Sequence, residues 1–579
     1  GELQQRLSPR LAQKAAEYFS FLTDGRYDEL TLSRDLSPRP RRTGDAVGWE
    51  TDYLSREIKR ADISYDEMDY SEYDGSTWDA VIVEMTELAK STTQAGEATD
   101  GEKARFAELY DMTMNEYAKF VSAYVKAEVD SYLNVNDEEK ADRLTWFDEM
   151  SVDLGDRFGI SLGLALESPL RDLLIELHGD DTILDYEGYT ESNEYLNSLH
   201  VQEDALMQTY DNLSVQEYDN YEQMNEALGN VIVQLVELRK KIAAENGYDD
   251  YVDYGFEAVY ERDYTQEEYA QITEYIKEYM LGTEYQMEYL EYYRYDRTLS
   301  KSVDLEEVLK KLSEMEQLPQ LSRDAFAYMY EHGLYIFTDS DDSVEMAFTT
   351  MMYAENEPII YIHTSGTLRD IGTLLHEGGH YQHFFASKAN AFTGGYASLD
   401  IEETHSNGFH FLFADELEEL YPEAGKAIEV AAMSDALYTL VYESWLSDLE
   451  HALYQTGDTL TLEKANEIAR ETAKEYGLDY LLNDNYYMVW VTVNHIATSP
   501  IYQVSYVMSV LPALGIWMES CENEEAAEDK LMEIMLIDTF ADYKEMLADY
   551  GLEYVLEEQF YSDLNDLITE KYLADFKMK

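Results

Sequence analysis

Apolar residues recur at intervals of three and four along most of the chain. In NVIVQLVELRKKIAAENGY, which begins at Asn230, Val233, Leu235, Val236, Leu238 and Ile242 form one stripe. That is the period of a helix with a single buried face, and Asn246-Gly247 follows as its stop. EEYAQITEYIKEYM, from Glu267, repeats the pattern. The tyrosine- and glutamate-rich runs between Tyr264 and Tyr295 read as helices with one solvated face and aromatic contacts on the other. Between residues 61 and 318 the one proline is Pro169, which favours long helices, since an interior proline costs ~3 kcal/mol. A strand signal stands out in PIIYIHTSGT, which begins at Pro358 and runs out at Gly366. Helical period then returns, with Thr367 as the expected N-cap, Asp370 three residues on, and Ile371, Leu374 and Leu375 as the apolar stripe. The spacing predicts another helix from about Asp400. No repeat of fixed period is present. The pattern predicts a mainly helical, all-α fold with a small sheet.

Length alters this picture only by allowing two to four domains or one large two-lobed body: the chain has 579 residues. With 45% hydrophobic residues it is a globular chain. The formal net charge of −78 repels nucleic acid phosphates and anionic lipid, so neither is an expected partner. No apolar run reaches the ~18–20 residues of a membrane span, so no integral membrane segment is expected. The lone cysteine, Cys521, excludes a disulfide within the chain and reads as a small buried hydrophobe. Residues 1–57 differ from the rest. They hold Arg6, Arg10, Arg26, Arg34, Arg39, Arg41, Arg42 and Arg56, together with three of the nine prolines. They show no charged start followed by an apolar block, so no export signal is expected there.

The candidate chemistry lies in GTLLHEGGHYQHFF, from Gly372. On a helix, His376 and His380 point the same way one turn apart and could share a zinc ion at about 2.0–2.1 Å. Glu377 lies ~100° round the helix from His376, beside the metal, where it could take a proton from a bound water. Gly378 and Gly379 each cost a helix about 1 kcal/mol relative to alanine, which close approach of another helix or of a substrate would explain. A catalytic zinc needs a third protein ligand. Downstream, TGGYASLDIEETHSNGFHFLF holds a loop at Thr393-Gly394-Gly395 and then Glu402, Glu403, His405 and His410. Spacing alone leaves Glu402 and Glu403 open, since they differ by ~100° of rotation.

Here the sequence resembles the zinc metallopeptidases that include oligoendopeptidase F and thimet oligopeptidase. That family carries H-E-x-G-H, a glycine loop and a D-[FI]-x-E-x-x-S segment, matched by Asp400-Ile401-Glu402-Glu403-Thr404-His405-Ser406. The resemblance selects Glu403 as third ligand. His383 falls where the family often has histidine and is no ligand. His410 departs from the family's common glutamate, which leaves the surroundings of Glu403 open. The segment LRKKIAAENGYDDYVDYGFEAVYERDYT, from Leu238, is similar to the family's N-terminal lobe. NHIATSPIYQVSYVMS, from Asn494, matches the segment whose histidine and tyrosines face the zinc, which implies His495, Tyr502 and Tyr506 as oxyanion donors. The resemblance covers residues 60 to 575. It implies an all-helical, two-lobed body with a deep central channel and a small sheet beside the zinc helix. The strand from Pro358 to Thr364 is expected beside the cleft, where an edge strand could bind an extended peptide. Separately, YFSFLTDGRYDELTLSRDLSPRPRR, from Tyr18, is similar to a fragment of SMC-like ATPase heads, without that family's ATP-binding motifs. It therefore reads as a leader or fusion segment.

The expectation is a zinc metallopeptidase with one zinc per chain on His376, His380 and Glu403, Glu377 as base, and short peptides as substrates. The expected division is a leader (1–57), an N-terminal helical lobe (58–320) and a catalytic lobe (321–579). The alternatives are a related exopeptidase, which would need a fixed cation for a terminal carboxylate, and a peptide-binding protein without catalysis. Localisation is cytoplasmic or, if an export signal has been removed, at the cell surface.

Overall fold

The computed structural model describes residues 48–576 except 179–181, 192, 388–398, 415–416, 458, 479–486, 538–540 and 575. Most of residues 1–57 and the Thr393-Gly394-Gly395 stretch lie outside the described residues. Helices begin where a side chain can accept the unpaired N–H groups of a first turn. Thr99 with Glu102 heads Asp100–Tyr132, Asp137 heads Glu138–Leu166, Asn220 heads Tyr221–Glu245, and Thr265 with Glu268 heads Gln266–Tyr279. Pro169 falls between Glu138–Leu166 and Arg171–His178, where it interrupts no helix. In Tyr221–Glu245 the expected stripe is buried at Leu235, Val236, Leu238 and Ile242 and half-buried at Val233. The helix stops as predicted: Gly247 sits at φ +88°, and the Tyr248 N–H turns back to Ala243 O at 2.9 Å. In the tyrosine-rich stretch, Tyr264 and Tyr269 are core residues, whereas Tyr285, Tyr292 and Tyr293 are exposed.

The helices Ser76–Ala95, Asp100–Tyr132 and Glu138–Leu166 enclose a core of their own around Trp78, Phe106, Phe120, Phe147 and Phe158. A much larger core runs from Tyr210 through the C-terminal half and takes in Leu235, Phe326, Leu374, Trp445 and Leu511. The segment from Trp49 packs onto this body. The Trp49 indole N–H donates to Asp529 at 2.7 Å, and Arg56 donates to Ala386 O and Leu536 O at 2.8 and 2.9 Å.

Three strands form the one sheet among the described residues: β1 (Tyr335–Thr338), β2 (Ala347–Met352) and β3 (Glu357–His363). The order is β1-β3-β2, with β1 parallel to β3 (Tyr335 opposite Ile360) and β2 antiparallel to it (Ala347 opposite Ile362). The strand foreseen at Pro358 is therefore the central one, and it cannot present an edge. Its near-continuous burial explains its run of Ile and Tyr. The edge beside the histidine-bearing helix is β2. Cys521 also differs from expectation: it is exposed, because it sits at the C-terminus of Gln503–Ser520, where the chain turns at the surface. Among the described residues no helix is long and apolar enough to cross a membrane.

Candidate metal centre

The chain leaves β3 and enters the helix Asp370–Ala386 through a turn stitched by one carboxylate. Asp370 accepts from the Thr364 hydroxyl (2.6 Å), the Ser365 N–H (3.0 Å) and hydroxyl (2.8 Å), and the Thr367 N–H (3.0 Å). Asp370 reaches back to the Thr367 N–H as expected, but Thr367 is not the N-cap: residues 367–369 form a tighter turn, and regular helix begins only at Asp370, with Arg369 before it. Ile371, Leu374 and Leu375 are fully buried. They anchor the helix so that His376 and His380 face the same way, their rings 5.1 Å apart. Glu377 is buried beside them. The Thr349 hydroxyl, on edge strand β2, donates to its carboxylate at 2.7 Å and reaches its carbonyl at 3.0 Å.

The two glycines of this helix have different neighbours. At Gly379 the second helix, Leu399–Phe413, comes so close that a Cβ would meet Ser406 Cα at 2.6 Å. At Gly378 the Phe326 ring fills the space. Close approach at Gly379 brings Glu403 onto the histidines. Its Oε2 lies 3.3 Å from His376 Nε2 and 3.5 Å from His380 Nε2. Two ligands each about 2.0–2.1 Å from a tetrahedral ion stand roughly 3.3–3.4 Å apart, so Glu403 Oε2 stands from each histidine at about the spacing of two zinc ligands. Among the described residues this is the one cluster of three such groups close enough to hold a metal. The groups also hold one another's charge. Although burial would raise it, the two histidines push the Glu403 carboxyl well below the usual range, and Glu403 in turn holds His376 up at about 8 against burial. Glu402 lies outside the cluster, and burial beside Glu403 pushes it up to about 8.

A third wall comes from residues 494–506. The Tyr502 hydroxyl donates to Glu403 Oε1 at 3.0 Å. The His495 ring stacks on Tyr502 at 5.0 Å, and Tyr506 stands edge-on to both at 5.5 and 4.9 Å. Burial, then Glu403, keeps both phenols far above their ordinary value, so they remain O–H donors. Side chains absent from the expected site grip this segment. Arg239, fully buried, donates to Ile496 O and Ala497 O at 3.2 and 2.6 Å. The Tyr260 hydroxyl donates to Pro500 O at 2.9 Å, and Arg262 to Ile501 O and the Ser505 hydroxyl at 3.0 and 2.9 Å. Ile501 is a β-branched residue at φ +67°, a conformation costing about 1–3 kcal/mol. It is held at both ends, because the Glu450 carboxylate accepts its N–H at 3.2 Å. Arg239, Tyr260 and Arg262 all belong to the segment from Leu238 that the sequence marked without a role.

No protein-family profile and no curated protein matches the sequence. Solved structures do match. One described as an oligoendopeptidase F superposes with a TM-score of 0.75 at 19% identity, over 89% of this chain and 99% of its own. PZ peptidase A, solved with an inhibitor, gives 0.76 at 18% identity, over 88% and 99%. A structure described as an oligoendopeptidase F from Bacillus anthracis str. Ames gives 0.72 at 16% identity, over 89% and 99%. The chain has the oligoendopeptidase F fold. At such identity the likeness speaks for the fold, and the chemistry rests on the residues.

The remaining histidines of this oligoendopeptidase F-like chain stand outside the cluster. His383 Nδ1 pairs with Met535 O at 2.9 Å. His405 packs its ring between those of His383 and His380, and neither of its buried nitrogens has a hydrogen-bond partner. His410 does not reach Glu403, whose side chain is met instead by Ser406 and Tyr502. Its ring presses against Gly372, where a Cβ would lie 2.9 Å from Nε2.

Proposed function

We propose that this protein is a zinc-dependent oligoendopeptidase that hydrolyses internal bonds of short peptides. The observation that carries the reading is the convergence of His376 and His380 on one oxygen of Glu403, with Glu377 beside them and His495, Tyr502 and Tyr506 opposite. His376, His380 and Glu403 would hold the metal. When bound there, zinc polarises a carbonyl and lowers the pKa of a coordinated water to about 7. Glu377, oriented by Thr349, takes the proton of the attacking water and passes it to the leaving amine nitrogen. The Tyr506 hydroxyl and the His495 ring N–H donate to the carbonyl oxygen as negative charge gathers on it, and the Tyr502 hydroxyl joins them by turning from Glu403 Oε1. Thr349 links edge strand β2 directly to Glu377, which supports binding of an extended peptide along β2.

An exopeptidase would need a free cation for a terminal carboxylate. Among the described residues, the cation lining the cavity beside His376 is Arg369, and it is already paired with Glu291 and Asp296. The test is mass mapping of cuts in end-blocked peptides with and without a zinc chelator. Internal cuts that vanish with chelator are expected. Cuts only in peptides with free ends would replace this reading with an exopeptidase, and no cuts with zinc bound would replace it with a binding protein.

A further inference from the structure

Beside His376 and Tyr506 opens a cavity of about 270 Å³, slightly below the ~300–1,000 Å³ of pockets for whole small ligands. It has the size for one side chain. Its far wall carries the carboxylates of Asp435, from the helix Gly425–Tyr438, and Glu443, from the turn that follows. Neither carboxylate accepts a hydrogen bond from any described residue, and one Glu443 oxygen is buried without a partner. Among the described residues the one cation in the lining is Arg369, which spends its guanidinium on Glu291 and Asp296. The floor is Gly372, where a Cβ would lie 2.9 Å from His410 Nε2 and 3.9 Å from Asp435 Oδ2, so a side chain there would displace the His410 ring. His410 is only 6% exposed, lines the cavity and makes no hydrogen bond with any described residue. Burial keeps it neutral, with a value near 3, so one ring nitrogen is an open acceptor.

The cavity holds two carboxylates, Asp435 and Glu443, and among the described residues no free cation in its lining meets them. A buried acceptor without a donor is costly, and burial pushes the Glu443 carboxyl up to about 8 as it stands, whereas Asp435 is open to solvent and adds its charge at the same wall. A guanidinium or ammonium supplies donors and charge together. Phe411 and Thr373 line the approach and would cover its aliphatic stem. We infer that this cavity is a specificity pocket for an arginine or lysine side chain of the substrate, at a residue beside the bond that is cut. The inference rests on the peptidase reading for its position, and on the cavity's own groups for its chemistry.

The test compares two end-blocked peptides that differ only in arginine against citrulline, its neutral isostere. Both are scored for turnover and for binding to the zinc-loaded protein. The expected result is a preference of about ten- to a hundredfold for arginine. Asp435→Asn and Glu443→Gln should each shrink the arginine-to-citrulline ratio. Gly372→Ala should shrink it as well, by filling the floor from the other side, so the test does not hang on one variant folding. Equal handling of the two peptides by the wild-type protein overturns the pocket, as does an unchanged ratio in all three variants. Binding that prefers arginine without any turnover supports the pocket and overturns the peptidase reading instead.

Discussion

Replacing Gly379 with alanine would place a methyl carbon 2.6 Å from Ser406 Cα and 3.3 Å from His405 O, on the backbone of the helix that carries Glu403. Ordinary contact begins at 3.4 Å, so the two helices must part by about 0.8 Å. Backbone cannot turn aside as a side chain can. The ligand oxygens and nitrogens now stand 3.3 and 3.5 Å apart, and metal sites hold their bond lengths to about 0.2 Å. Separating the helices by several times that tolerance should lower zinc affinity at least ~10–100-fold, with overpacking costing about 1–3 kcal/mol of stability. Gly378→Ala is the control. Its methyl would meet the Phe326 ring edge at 2.8 Å, a side chain that can rotate, so stability should fall while zinc affinity stays. The assay is competition for zinc against a chromophoric chelator, alongside thermal melts of the apo forms. Gly379→Ala binding zinc within twofold of wild type would refute the reasoning.

Glu377→Gln should keep its zinc and lose roughly 10²–10⁴-fold in kcat; full activity in metal-loaded protein would remove Glu377 from its role. Burial pushes the Glu450 carboxyl up to about 8 from an ordinary 4.5, against the Ile501 N–H, Arg239 and Arg262. The folded protein then binds a proton there that the unfolded chain releases, so the stabilisation is full below about pH 4.5 and is lost as pH rises to about 8. Glu450→Gln should flatten that part of the fall in melting temperature between pH 5 and 8, and parallel profiles would count against it. Deleting residues 1–60 should cost about 3 kcal/mol or more relative to deleting 1–47, because the Trp49 and Arg56 contacts go with it; equal urea midpoints would contradict this.

Much of this protein is local, and local features are legible in a sequence. A helix repeats every ~3.6 residues, so the stripes of Tyr221–Glu245 and Asp370–Ala386, the stop at Gly247 and the shared face of His376 and His380 follow from spacing alone. The double glycine announced a close approach, although not that Gly379 meets a backbone and Gly378 a ring.

Tertiary structure decided what joins elements far apart in the chain. Spacing left Glu402 and Glu403 equal, resemblance preferred one, and packing against Gly379 turns Glu403 to the histidines. A strand's composition reports burial on both faces, but not which neighbours pair with it, so the central place of β3 and the edge of β2 needed the sheet itself. Arg239 and Arg262 reach carbonyls some 240 to 260 residues away, and the cavity beside His376 draws on helices that share no period. Hydrogen bonds and charges act over a few ångströms of space, whatever the distance along the chain. A local period therefore says which face is buried, and only the packed structure says against what.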